Sequence, residues 1–168
     1  MKKTYFDGAG FKAEHLAVKQ FNGELVTDLK LQYQDIDALL PTKRGIYRTC
    51  SIKDQLKSSK QYGSIQVETR LTNTSNDRHI LGCFYKNKSQ MYFWRVWTEK
   101  YGDTWLIIKS SVLHNYVEEN KEHLRTWRTS KSTEAKNRSY GRKYDRAEGY
   151  IIPIKDLEQY AQLKPVES

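Results

Sequence analysis

Six short strand-like segments follow one another through the first two thirds of the chain, separated by turn-forming residues. They span residues 24–32, 35–40, 45–55, 63–71, 79–86 and 90–97. An amphipathic segment, residues 10–22, precedes them and predicts a helix. One helix followed by consecutive strands predicts an α+β or mixed-sheet α/β fold, with a central mixed β-sheet flanked by helices. The length of 168 residues predicts a single domain spanning 1–168.

The last third of the chain returns to helical patterns. Residues 103–124 begin as a strand and continue as a helix capped by Ser110 or Ser111. Residues 149–163 predict an apolar segment and then a helix that starts after Pro153. Helices therefore follow the strands as well as preceding them.

The charge balance is strongly basic. Lys and Arg number 29 against 20 acidic residues, which gives a net charge of +9, and 12 tyrosines and 4 tryptophans are interleaved with them. The excess is concentrated at residues 121–148, which hold nine Lys or Arg and four acidic residues. This pattern favours a polyanionic partner, nucleic acid before an anionic membrane, although charged runs are often only solvated surface.

No apolar run reaches the roughly 18 residues that a membrane span needs, and no apolar segment follows the N-terminal lysines. Cys50 and Cys83 lack the spacing of metal ligands, which favours two buried, reduced thiols. We therefore expect a soluble, cytoplasmic protein without a membrane partner.

Polar side chains occupy a predicted strand where valines would be expected. Side chains alternate between the two faces of a strand, so Ser51, Lys53 and Gln55 share one face, opposite Cys50 and Ile52. A hairpin turn at 41–45 would bring an acidic residue of the preceding strand, at position 35 or 37, opposite Ser51 and Lys53. The alternative is an edge strand with one wet face and an ordinary surface ion pair.

Such a cluster suits phosphodiester hydrolysis. Mg²⁺ needs two or more carboxylates with open positions for water and phosphate, and a neighbouring lysine can orient or activate the attacking water. The same groups serve when Mn²⁺ replaces Mg²⁺.

The order of Glu14 on a first helix, "DIDALL" on a strand and "SIK" after a hairpin turn resembles the PD-(D/E)XK nuclease superfamily, which includes restriction endonucleases and Holliday junction resolvases. The resemblance covers about residues 10–110 and implies a restriction-endonuclease-like core. It implies that Asp37, rather than Asp35, binds the metal, that Lys53 is catalytic, and that Glu14 supplies a further carboxylate.

The sequence departs from the family pattern at Ser51, where an acid is usual. Some restriction endonucleases take this acid from a downstream segment, and Glu68 is the corresponding candidate here. The predicted catalytic residues are thus Asp37, Lys53, Glu68 and Glu14, with Mg²⁺ held by the three acids. Ser51, Gln55 and Asp35 are expected to contact these residues and hold them in position without binding the metal themselves.

The resemblance implies a Mg²⁺-dependent endodeoxyribonuclease of the restriction type, acting on duplex DNA as a homodimer whose two-fold axis matches that of the DNA. The predicted DNA contacts come from the basic segment, at Arg125, Arg128, Lys131, Arg138, Arg142 and Lys143. Three alternatives stay open: a Holliday junction resolvase, a DNA-binding protein of this fold that has lost catalysis with the acid at position 51, and an RNA-binding protein.

Overall fold

The computed structural model describes residues 9–168, which form seven helices and ten strands. The helices are α1 (Ala9–Phe21), α2 (Leu29–Tyr33), α3 (Leu56–Tyr62), α4 (Cys83–Lys86), α5 (Ser110–Asn120), α6 (Lys131–Ser139) and α7 (Ile154–Leu157). The strands are β1 (Glu24–Leu25), β2 (Ala38–Pro41), β3 (Tyr47–Asp54), β4 (Ser64–Asn73), β5 (Arg78–Leu81), β6 (Met91–Thr98), β7 (Gly102–Lys109), β8 (Arg125–Arg128), β9 (Arg146–Pro153) and β10 (Gln162–Pro165).

The larger sheet has six strands in the order β1-β2-β3-β6-β7-β10. Strands β3 and β6 run parallel, and the other neighbours run antiparallel. The β2–β3 hairpin closes through a turn in which Gly45 has a φ of +78°, a backbone conformation that glycine adopts without a steric penalty. The predicted fold class, a mixed α/β sheet flanked by helices, is confirmed.

The smaller sheet has four antiparallel strands in the order β5-β4-β9-β8. The basic segment 121–148 supplies β8, α6 and the first part of β9, so it is ordered secondary structure rather than a solvated loop. Strands β4 and β9 approach closely at Gly149, where an added Cβ would lie 1.7 Å from the carbonyl oxygen of Val67.

The two faces of the larger sheet carry separate apolar cores. Helix α1 covers one face, and its Ala13 and Ala17 pack with Cys50 and Ile52 of β3. The smaller sheet and α5 cover the opposite face, where a second cluster of buried side chains lies between the layers. Its members include Tyr92, Trp94, Phe84, Ile65, Leu106 and Leu113. This sandwich places the polar face of β3 in the interior, between the two sheets.

Several local predictions were wrong for identifiable reasons. Residues 24–32 form a two-residue strand and helix α2, because the Asp28 side chain accepts hydrogen bonds from the N–H groups of Lys30 and Leu31 and caps the helix. Residues 79–86 divide at Gly82 into β5 and α4. The N-cap of α5 is Lys109, and Ser110 is the first helical residue.

Both cysteines are free thiols. Cys50 is fully buried and Cys83 is half-buried, and burial raises the pKa of Cys50 to about 12 and that of Cys83 to about 11. Within residues 9–168, no helix has both the length and the apolar character needed to span a bilayer.

Candidate active site

The polar face of β3 lies as the alternation predicts. Cys50 and Ile52 point into the core under α1, and Ser51 and Lys53 point to the other side of the sheet. In the hairpin, Ala38 pairs with Cys50 and Leu39 pairs with Thr49. The acidic residues that precede β2 therefore lie beside Ser51 and Lys53.

Asp35 is the acid that contacts this face. Its Oδ1 accepts a hydrogen bond from the Lys53 ammonium, and its Oδ2 accepts bonds from Ser51 Oγ at 2.8 Å and Asn87 Nδ2 at 3.1 Å. Asp35 is 7% exposed and has a φ of +59°, so the chain turns sharply just before β2. That turn carries Asp35, two residues ahead of Asp37, onto the ammonium group.

The charge of Lys53 is maintained by these neighbours. Burial alone would lower its pKa, but the Asp35 carboxylate, with smaller contributions from Cys83 and Asp37, holds the pKa well above its usual value. Lys53 is therefore a fixed cation at neutral pH, and its ion pair with Asp35 is shielded from solvent.

Asp37 is half-buried, and its Oδ2 accepts a hydrogen bond from the backbone N–H of Ile52 at 2.8 Å. It lies close enough to Lys53 to raise the pKa of that lysine. Glu14 is half-buried on α1, the helix whose buried residues pack on the opposite face of β3 from Lys53. The metal-binding roles assigned to Asp37 and Glu14 remain predictions.

A cavity of about 210 Å³ opens beside Lys53, between the two sheets. Its polar lining comprises Asp35, Lys53, Gln55, Gln66 and Glu68, and its aromatic lining comprises Phe84, Tyr92, Trp94 and Trp127. One predicted acid, Glu68, thus shares a cavity with Lys53. The Oε1 of Glu68 accepts a hydrogen bond from the N–H of Cys83 at 3.2 Å, which ties the carboxylate to the start of α4.

Gln55 joins the two sheets at the edge of this cavity. Its Nε2 donates to the carbonyl of Gln66 at 2.8 Å, and its Oε1 accepts from the N–H of Gln66 at 2.7 Å. The amide therefore pairs with β4 as a neighbouring strand would. These bonds fix the end of β3, and with it Lys53, relative to Glu68.

The donor set suits a hard cation only in part. Among residues 9–168, no group of three or more His, Cys, Asp or Glu side chains is arranged to hold a metal ion. Glu68 offers a carboxylate to the cavity, whereas both oxygens of Asp35 already accept hydrogen bonds, and Mg²⁺ is commonly bound by one or two carboxylates with phosphate oxygens and waters. The chemistry of these residues fits Mg²⁺ when a phosphate completes the ligand set.

The basic segment contributes a groove next to the cavity. The groove has a volume of about 550 Å³, and Arg70, His79, Arg128 and Tyr150 are among the residues that line it. Arg70 forms an ion pair with Glu148, whereas Arg128 is exposed on β8. Trp127 lines both the groove and the cavity, so the two are adjacent.

The predicted DNA contacts differ in their surroundings. Arg125 and Arg128 are exposed at the two ends of β8, and Lys131 is exposed at the start of α6. Arg138 instead forms an ion pair at 2.7 Å with the buried Asp145. Its guanidinium holds the loop before β9 in place.

The remaining two basic candidates contact their own segment. Arg142 donates to Asn137 Oδ1 at 3.1 Å, and the Lys143 ammonium lies 5.7 Å from the centroid of the Tyr144 ring. Both are exposed, so these contacts leave their charge available to solvent.

Two residues of the site carry no recognisable sequence signal. Asn87 reaches Asp35 from the loop before β6, 52 positions along the chain. Arg70 joins the groove from β4, outside the basic segment. Neither position belongs to a motif or a biased stretch, so only the fold brings them to the site.

Comparison with known proteins gives little further assignment. No protein-family model matches the sequence, and no curated protein matches it at a significant level. Among solved structures, the chain is similar to a bacterial homing endonuclease, with a TM-score of 0.46 and 16% sequence identity, over 68% of this chain and 74% of that one. A likeness of this degree assigns no family and no activity.

Proposed function

We propose that this protein is a divalent-metal-dependent DNA endonuclease that hydrolyses phosphodiester bonds in duplex DNA. The observation that carries the proposal is the buried Lys53–Asp35 pair in the wall of a cavity that also holds Glu68. A fixed cation beside carboxylates, in a partly water-excluded site, can stabilise the charge that develops in phosphoryl transfer.

The residues take distinct roles in this proposal. Lys53 stabilises the negative charge that develops on the phosphate in the transition state. Asp35 orients the lysine, and Ser51 and Asn87 orient Asp35. Asp37 and Glu68 are the candidate metal ligands, with Glu14 a third, and a bound Mg²⁺ or Mn²⁺ would act as a Lewis acid on the phosphate.

The basic groove supplies the DNA contacts in this proposal. Arg128 and Arg70 lie on the groove next to the cavity, and Arg125 and Lys131 extend the basic surface along β8 and α6. Phosphate contacts of this kind would set the position of a duplex, and the scissile bond would then lie near Lys53. Cutting both strands at one position requires two active sites, so we propose a homodimer as the active form.

The test compares the wild-type protein with Lys53→Ala and with Lys57→Ala, an exposed lysine on α3 as the control. Each protein is incubated with linear duplex, supercoiled plasmid and four-way-junction DNA, in Mg²⁺, in Mn²⁺ and in EDTA. We expect discrete metal-dependent fragments of duplex from the wild type and Lys57→Ala, and none from Lys53→Ala. Selective cutting of the junction would make the protein a resolvase instead. Cleavage by Lys53→Ala at the wild-type rate would refute the assigned site.

A DNA-binding protein without catalysis is the second candidate. It is favoured by the hydrogen bonds that both oxygens of Asp35 already accept and by the lack of a three-residue acidic cluster among residues 9–168. Salt-sensitive binding of duplex DNA with no cleavage in either metal would establish this function. Preferential binding of single-stranded RNA in a competition assay would point to RNA instead.

A further inference from the structure

One buried polar atom in the cavity is unexplained by the contacts of the protein itself. Trp94 lines the cavity and is 3% exposed, and its indole Nε1 is buried without a hydrogen-bond partner within residues 9–168. The Nε1 of Trp105 donates to Gln20 at 2.8 Å, and that of Trp127 donates to the Val67 carbonyl at 3.2 Å. Buried donors are nearly always paired, so the Trp94 N–H requires an acceptor that residues 9–168 do not supply.

The unpaired donor lies next to the catalytic lysine. In the parallel register of β3 and β6, Lys53 is the direct partner of Trp94, so the two side chains are neighbours on one face of the sheet. Both line the same cavity. An acceptor that enters it can therefore meet the indole N–H and the ammonium together.

The charge and size of the cavity limit what this acceptor can be. One ammonium, from Lys53, faces two carboxylates, from Asp35 and Glu68, so a free anion is disfavoured. The cavity, of about 210 Å³, is smaller than the roughly 300–1,000 Å³ of a pocket for an organic ligand, but it has room for several waters. Water also suits the polar lining, because it donates to carboxylates and accepts from the indole and the ammonium.

We propose that Trp94 is a positioning residue, whose indole N–H and the Lys53 ammonium together hold the water that attacks the scissile phosphate. The inference rests on the proposed function. The water oxygen forms a bond to phosphorus as the bond from phosphorus to one ester oxygen breaks. One proton of the water passes to solvent, and the leaving oxygen takes a proton from solvent. The products are a phosphomonoester and an alcohol.

The kinetic test uses Trp94→Phe, which keeps an aromatic ring and removes the N–H, and Trp105→Phe as the control from the other core. Because misplacement of a reacting group costs on the order of 100-fold, we expect kcat of Trp94→Phe to fall by about 10- to 100-fold while KM changes less than about threefold. Trp105→Phe should keep the wild-type kcat. If the wild-type protein cleaves DNA and Trp94→Phe has the same kcat, the inference about Trp94 is overturned and the proposed function stands.

The second readout is the water itself. In ¹⁵N-labelled wild-type protein, the indole N–H resonance that disappears in Trp94→Phe should show magnetisation transfer from a bound water, and the Trp105 resonance should not. Absence of that transfer would overturn the water site. Absence of any cleavage by the wild type would instead refute the proposed function, and with it the catalytic role of the water.

Discussion

The buried Lys53–Asp35 pair should behave as a strongly coupled unit, and a double-mutant cycle measures this directly. In Lys53→Met, Asp35 stays buried without a countercharge but keeps its bonds from Ser51 and Asn87. Removing one member of a buried pair costs about 3–5 kcal/mol, and these two bonds place the cost near the lower limit, at about 3 kcal/mol. In Asp35→Asn, Lys53 is left without its carboxylate. Because the Lys53 side chain is 21% exposed and that of Asp35 only 8%, the lysine reaches solvent more easily, so we expect a smaller loss of stability, of about 2 kcal/mol.

The double variant Asp35→Asn/Lys53→Met leaves no isolated charge. Replacing a buried ion pair by neutral side chains of similar size is often close to neutral, so we expect its cost to be about 1 kcal/mol, against about 5 kcal/mol for the sum of the single variants. The coupling energy is then about 4 kcal/mol. With a urea m-value of about 2 kcal/mol/M, Lys53→Met should shift the unfolding midpoint by about 1.5 M.

The assay is urea unfolding at pH 7 and at pH 9. Because the pKa of Lys53 is raised on folding, the pair's contribution is complete below the unfolded pKa of about 10.4 and is lost as the pH rises through the folded value. The coupling should therefore be equal at pH 7 and pH 9. If the stability loss of the double variant equals the sum of the two single losses within about 0.5 kcal/mol, the two side chains are not coupled and the reasoning is refuted.

Three further predictions concern the second sheet. Arg128→Ala should weaken duplex binding and lower the salt dependence of binding by about one ion, whereas Arg138→Ala should mainly lower stability, as measured by DNA titrations over a salt series and by urea unfolding. Gly149→Ala should destabilise the fold by about 3 kcal/mol, because its Cβ would collide with a β4 carbonyl, whereas Gly10→Ala, with open space around it, should be neutral or stabilising in the same unfolding assay. Burial opposes ionisation of Asp145, but hydrogen bonds from Thr74 and Arg138 lower its pKa below the usual value, so its stabilising contribution is present above about pH 4 and is lost as the pH falls further. Asp145→Asn should then lose less stability than wild type between pH 5 and pH 2, and an equal loss would contradict this assignment.

Much of the fold follows from local patterns in the sequence. The period-two alternation predicts which face of β3 carries Ser51 and Lys53, and the turn residues predict the β2–β3 hairpin. The strand-to-helix change at β7 and α5 was also predicted. These features depend on residues close in sequence, so the chain's own periodicity reveals them.

The parts that were missed depend on conformation or on distant contacts. The sequence left open whether Asp35 or Asp37 pairs with Lys53, because the positive φ that turns Asp35 toward the lysine is not encoded in the spacing. Arg138 has the same composition signal as Arg128, and its ion pair with Asp145 was not foreseen, while its DNA contact stays a prediction. The unpaired N–H of Trp94 becomes visible only when the side chains that surround it are known.

We expect the Gln55 amide to limit pairing of the β4 edge with another molecule. Strand β5 pairs only with the Arg70–Asn73 half of β4. The other half of β4, Ser64–Thr69, pairs with β9 on one side and has no strand neighbour on its other side among residues 9–168. An open strand edge is a template for pairing with another molecule, and Gln55 occupies both backbone groups of Gln66 on this edge. Substitution of Gln55 would therefore expose the edge as well as free the end of β3, and we expect aggregation during expression to increase.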